Sequence, residues 1–217
     1  MGGVFITFEG VDGAGKSTQL RRAAERLQSA GHAVTASREP GGSPGAEEIR
    51  ALLVSGEPGR WSVATELLLF TAARRDHLDR LIEPALAAGH IVLCDRYVDS
   101  TRAYQVAGRG APAEQVEALH RLMVGREPDA TLIFDVDPAE AARRRGADLE
   151  GARRAAEDRF ERFGLDFQTR LRAAFAAIAR DEPGRCTVID ADQGEAEVSN
   201  AVDAALHAAL TALGSRR

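Results

Sequence analysis

The 217-residue chain is short of three things: positive charge, long apolar runs and cysteine. Each shortage removes a class of function. The net charge is −5, so the overall field gives no support to nucleic-acid binding as a main task. Apolar runs such as TLIF fall far below the ~20 residues that span a bilayer, so no membrane segment is expected. The opening MGGVFITFEG lacks a basic stretch leading into an apolar one with a small-residue cleavage site, and is not read as a secretory signal. Gly2 is not read as a myristoylation site, because Thr7 stands one place too late for the usual Ser or Thr. Cys94 and Cys186 lie far apart in apolar, strand-like runs and are read as buried free thiols of a reducing cytoplasm. His77 is read as structural, and the other four histidines form no cluster with metal-ligand spacing, so no zinc site is expected. With no internal repeat, linker or boundary, residues 1–217 are read as one domain.

What is present is an alternation of strand-like and helical stretches. Apolar residues make up 44% and charged residues 28%, which is globular composition. The strand-like runs are VFITFE (4–9), HAVTASR (32–38), IVLCD (91–95), TLIFDV (131–136) and CTVID (186–190). Helices are predicted over 16–30, 47–56, 62–88, 139–146, 157–181 and 196–213, with Pro84 disturbing the last turns of the long third one. Short continuous apolar strands separated by helices predict an α/β fold, a five-stranded parallel sheet with helices on both faces.

Between the first strand and first helix lies GVDGAGKST, which fits G-x-x-x-x-G-K-[ST] in the strand–loop–helix context that motif requires. Gly10, Gly13 and Gly15 let the backbone of Gly10, Val11, Asp12, Gly13, Ala14, Gly15, Lys16, Ser17 and Thr18 bend with its N–H groups inward. The helix N-terminus adds its own unpaired N–H groups. Lys16 can reach β- and γ-phosphates, and the Ser17 hydroxyl suits Mg²⁺. The loop therefore predicts ATP-type phosphate binding but names no acceptor. Guanine-specific switches carry Asn-Lys-x-Asp, which is missing from this sequence.

Three more segments bear on the acceptor: SREPGGSPGAEEIR (37–50), LLLFTAARRDHL (67–78) and CDRYVDSTRAYQ (94–105). With the phosphate loop, they resemble the bacterial thymidylate kinase family from the first strand to the last helix, four motifs in the family's order and spacing. The resemblance implies the P-loop nucleoside monophosphate kinase fold with a short lid. It also implies Mg²⁺-dependent transfer of the ATP γ-phosphate to dTMP, giving dTDP, and commonly a homodimer. On it, Arg96, Arg38 and Arg50 match arginines near the dTMP phosphate, where a guanidinium fork suits phosphate oxygens. Phe70 matches the residue that stacks on thymine, and Arg74 the one that bonds a base carbonyl. Ser100 or Thr101, with Gln105, would read the remaining base edge, and Tyr104 would fill the space beside the sugar 2′ position. Asp12 and Glu39 match acids near the sugar hydroxyl, the metal or the acceptor phosphate. Asp95, with Ser17, would hold Mg²⁺.

Residues 143–162, RRRGADLEGARRAAEDRFER, carry seven arginines and five acids. On the bare sequence this is either a solvated charged face or a basic flap. Some family members carry a basic residue in the phosphate loop where this chain has Gly13; others supply arginines from the lid, which corresponds here to about 143–158. The resemblance favours the flap, with Arg159 as the matching catalytic arginine and Arg153 and Arg154 next. Lys16, Arg96, Arg159 and Asp12 are thus the candidate catalytic set. A kinase for another acceptor, or a nucleotide-dependent switch ATPase, are the competing readings.

Overall fold

The computed structural model describes residues 2–57, 59–147, 160 and 163–214. Five parallel strands form one sheet: β1 (Val4–Gly10), β2 (Val34–Arg38), β3 (Ile91–Asp95), β4 (Ala130–Asp135) and β5 (Cys186–Asp190), in spatial order β2-β3-β1-β4-β5. The central strands are apolar on both faces because helices cover both. Ile6, Phe8, Leu93, Leu132 and Phe134 enter one buried cluster, while Phe5, Val92 and Cys94 enter another on the opposite face. Cys94 and Cys186 are both buried free thiols.

Helix α1 (Lys16–Ser29) follows β1, and α2 (Pro44–Val54) follows β2 with Pro44 in its first turn. Helix α3 (Val63–His77) starts at Ser62, whose hydroxyl accepts the Thr65 N–H at 3.1 Å. The disturbance expected at Pro84 takes a specific form. Residues Leu78–Ile82 widen into a π-helical stretch and the chain resumes as α4 (Glu83–Ala87), with the proline in its first turn. A proline cannot donate to the residue four back and crowds that carbonyl, so a local change of pitch accommodates it.

Two helical stretches were not expected from the sequence. Helix α5 (Val98–Thr101) continues as a π-helical stretch to Gly108, and α6 (Ala113–Leu119) continues likewise to Val124. After β4 come α7 (Pro138–Ala147), α8 (Leu165–Asp181) and α9 (Glu195–Gly214). Helix α8 begins later than predicted, behind Gly164 at φ +82°, a conformation that does not extend a helix. The strand register sets Gly10 beside Phe134 and Arg38 beside Asp95, so the C-terminal strand ends share one edge of the sheet. Ligands of open α/β sheets bind at that edge.

Candidate active site

The phosphate loop joins β1 to α1 at this edge. Val11 and Ala14 turn their side chains into the core, so only their backbone serves the loop. Gly13 has φ +87°, and a Cβ there would lie 2.3 Å from the carbonyl oxygen of Ala141 on α7 and 3.0 Å from Cγ of Arg145. The volume that a P-loop side chain would need is therefore already taken by α7. Lys16 lies over the loop and donates from Nζ to the Val11 carbonyl at 2.8 Å. Burial and then Arg96 push its ammonium down to about 8, against the pull of Asp95, Asp12 and Glu9. An anion arriving at the loop would restore the charge.

Arg96 is the one non-glycine residue with positive φ (+72°) among the described residues. Such a backbone costs about 1–3 kcal/mol and persists only where its surroundings hold it. Its N–H donates to Phe8 O at 2.9 Å, and its carbonyl accepts from Cys94 Sγ at 3.2 Å. Its guanidinium donates to Gly10 O (3.0 Å), Ser100 Oγ (2.9 Å) and Asp12 Oδ1 (2.6 Å), and lies 5.0 Å from the centre of the Tyr104 ring. Tyr104 donates from its hydroxyl to the other Asp12 oxygen at 2.9 Å. Burial would raise the Asp12 carboxyl, but Arg96, Lys16 and the Tyr104 hydroxyl hold it well below the usual carboxylate range. Asp12 is thus a permanent anion that fixes Arg96 beside the phosphate loop.

Glu9 completes this corner. It is fully buried and accepts from Tyr97 N (2.7 Å), Ser100 N (3.2 Å) and Ser100 Oγ (2.6 Å). Burial, then Asp99, raises its carboxyl above the ordinary range. The Ser100 hydroxyl is consequently spent between Glu9 and Arg96. In this position it helps to hold Arg96.

Further along the cleft, Arg74 of α3 donates from Nε to Glu39 (2.7 Å) and from Nη2 to Tyr97 O and Thr101 Oγ1 (3.0 Å each). Thr101 is therefore a support for Arg74. Gln105 is buried and donates from Nε2 to Glu66 at 3.0 Å. Phe70, half-buried, has its ring centre 6.0 Å from that of Phe160. The two carboxylate oxygens of Glu39 face Arg74 and His77. Arg38 is exposed and paired with Glu47 at 3.2 Å, and Arg50 donates to Pro40 O at 2.7 Å.

Ser17 and Asp95 are hydrogen-bonded to each other. One hydroxyl and one carboxylate beside the phosphate loop make a hard-oxygen donor pair. That fits Mg²⁺, which usually takes only one or two protein ligands together with phosphates and water. Ser17 and Asp95 are the residues that would hold it.

Several contributors were not singled out in the sequence: Glu9, Glu66, Arg144 and Arg145. Arg145 donates to the backbone carbonyl of Asp12, and Arg144 donates to Ala191 O at 2.7 Å. Helix α7 thus reaches both the phosphate loop and the β5–α9 turn. Glycine at position 13 was the available sign that another element closes on the loop. Arg153, Arg154 and Arg159 lie outside the described residues.

A phosphate loop on a five-stranded parallel sheet, with a half-buried arginine clamp at the end of the strand beside it, defines a P-loop kinase of the nucleoside monophosphate type. Residues 8–202 match the family Thymidylate kinase. The chain is 58% identical over 210 residues to the thymidylate kinase of Dinoroseobacter shibae, covering 97% of this chain and 98% of that one. It is 58% identical over 191 residues to that of Caulobacter vibrioides, covering 88% and 89%. The crystal structure of thymidylate kinase from Ehrlichia chaffeensis superposes with TM-score 0.75 at 36% identity, covering 95% of this chain and 99% of that one. The chain belongs to the thymidylate kinase family.

Proposed function

We propose that the protein transfers the γ-phosphoryl group of ATP to dTMP, giving dTDP for the supply of DNA precursors. The observation that carries this reading is the Asp12–Arg96–Tyr104 clamp beside the phosphate loop. It sets a fixed cation between donor phosphates and an acceptor bound toward Phe70 and Arg74. The loop N–H groups and Lys16 hold the β- and γ-phosphates, and Arg96 meets the charge that spreads over the transferred group. Because Asp12, Gly10 and Ser100 hold Arg96 before substrate arrives, little reorganisation is needed at the transition state. Mg²⁺, when bound by Ser17 and Asp95, supplies a Lewis acid for the phosphate oxygens.

On the acceptor side, Arg38 and Arg50 serve the dTMP phosphate, Phe70 stacks on thymine, and Arg74 with Gln105 reads the base. Tyr104 stands beside the sugar 2′ position. Arg153, Arg154 and Arg159 supply lid cations. Replacing the three together by Ala should lower kcat by about 10³-fold or more with little change in dTMP affinity; an unchanged kcat refutes that assignment. The test of the main reading is ADP formation from Mg·ATP with dTMP, dUMP, ribo-TMP, dCMP, AMP or no acceptor. Turnover chiefly with dTMP is expected; acceptor-independent hydrolysis favours a switch ATPase instead.

A homodimer in the cytoplasm, where ATP and dTMP meet, completes the reading. Helix α3 and the stretch after α6 are in contact, Arg75 donating to Met123 O at 3.1 Å, and leave Leu68, Leu122 and Met123 exposed. That apolar face is the proposed contact between copies.

A further inference from the structure

His77 lies one turn beyond Arg74 on α3 and is completely buried. Its Nδ1 faces Glu39 Oε1 at 3.1 Å, and its Nε2 faces Ser37 Oγ at 2.7 Å. A carboxylate can only accept, so Nδ1 carries a proton and donates to Glu39, while Nε2 is hydrogen-bonded to the Ser37 hydroxyl. The other Glu39 oxygen, Oε2, accepts from Arg74 Nε at 2.7 Å. Four side chains from β2, the loop after it and α3 thus form one line: Ser37, His77, Glu39, Arg74. Gly42 closes the line from outside, since a Cβ there would lie 2.3 Å from His77 Nε2 and 2.4 Å from Ser37 Oγ.

This arrangement decides how Glu39 holds Arg74. A buried carboxylate beside a guanidinium favours the two-pronged pairing, both oxygens on two nitrogens. That pairing would pull Nη2 away from Tyr97 O and Thr101 Oγ1, its present acceptors at 3.0 Å. The N–H of His77 occupies the second oxygen and keeps the pairing single. The bonds described for Arg74 take up Nε and Nη2, so Nη1 is the nitrogen through which it would meet a base carbonyl.

We propose that the Ser37–His77 pair is a positioning device for base recognition: by occupying one oxygen of Glu39 it sets the guanidinium of Arg74 against the acceptor's base. The proposal rests on the reading of Arg74 as the group that bonds a base carbonyl. It makes His77 a determinant of acceptor specificity rather than only a core residue.

The test compares kcat/KM for dTMP with that for 5-methyl-dCMP, which differs in carrying an amino group in place of the 4-carbonyl. His77→Leu keeps the bulk and removes the N–H; His77→Asn restores an N–H near the Nδ1 position. His77→Leu is expected to lower the preference for dTMP by about tenfold or more, with KM for ATP unchanged, and His77→Asn to recover most of it. Arg74→Lys is the control and should lose the same preference. If Arg74→Lys loses the preference while His77→Leu retains it, the positioning role is refuted. Equal losses for the Leu and Asn variants, or parallel losses toward ATP and dTMP, also refute it, because they mark simple damage to the core. If Arg74→Lys retains the preference, the base-reading role of Arg74 falls and the proposal with it. Should His77→Leu fail to fold, Ser37→Ala takes its place, with a smaller loss in the same direction expected and an unchanged preference refuting the proposal.

Discussion

Adding a single methyl group at Gly13 tests whether α7 is seated on the phosphate loop. Gly13→Ala meets two separate penalties. The first is backbone: at φ +87° an L-residue costs about 1–2 kcal/mol. The second is steric: the new Cβ would lie 2.3 Å from a backbone carbonyl of α7, which must retreat by about 1 Å to reach ordinary contact. Overpacking of that kind costs about 1–3 kcal/mol, and here no flexible side chain can yield in its place. Gly15 provides the control, because its φ is +88° and nothing lies within 4 Å of the Cβ it would carry. Gly15→Ala therefore meets the backbone penalty alone. In urea denaturation with a constant slope, Gly13→Ala should be less stable than Gly15→Ala by about 1–3 kcal/mol. Moving α7 also moves Arg145 from the Asp12 carbonyl, so kcat should fall as well; a misplacement of about 1 Å can cost ~10²-fold. Equal stability of the two variants would refute the seating of α7 on the loop.

Three further outcomes follow from the geometry. The folded chain holds the Lys16 proton less tightly (about 8) than an ordinary lysine (10.5). Stability contributed by this group therefore rises with pH between those values, and phosphate binding reverses the shift. Calorimetry at pH 9 in buffers of different ionisation enthalpy should show proton uptake on ATP binding, and none would contradict the buried, depressed ammonium. Asp99 is fully buried and accepts from Arg102 (2.9 Å), which also pairs with Glu117 and Glu127, and from Arg185 (2.6 Å), so Asp99→Asn should cost about 3–5 kcal/mol in chemical denaturation by taking the carboxylate from the Arg185 guanidinium. A loss below 1 kcal/mol would show that water reaches the pair. On the proposed homodimer, Leu68→Glu with Leu122→Glu should shift sedimentation from dimer to monomer; a dimer that persists would refute this face as the contact, and a monomeric parent protein would refute the homodimer.

Strand positions and the phosphate loop were legible because both are local: a short apolar run or a glycine-lysine-serine loop carries its physics within a few residues. The helical stretch over 98–108 was not legible, and the reason is visible in its side chains. Asp99, Ser100, Thr101 and Gln105 are buried, yet they are polar and leave no apolar period to read. Their burial is made tolerable by partners far along the chain, Glu9, Glu66, Arg74 and Arg185.

The same distinction runs through the site. The chemical types were present in the motifs: a lysine and a serine for phosphates and metal, arginines for anions, and an aromatic for a base. Which of them face a substrate and which support a neighbour was decided only by folding. Ser100 serves Glu9 and Arg96, Thr101 serves Arg74, and Glu39 divides its oxygens between Arg74 and His77. A hydroxyl or carboxylate in a sequence can make the same bonds to a ligand or to the protein. Burial removes the alternative of water, so the nearest donor or acceptor brought up by the fold determines its role.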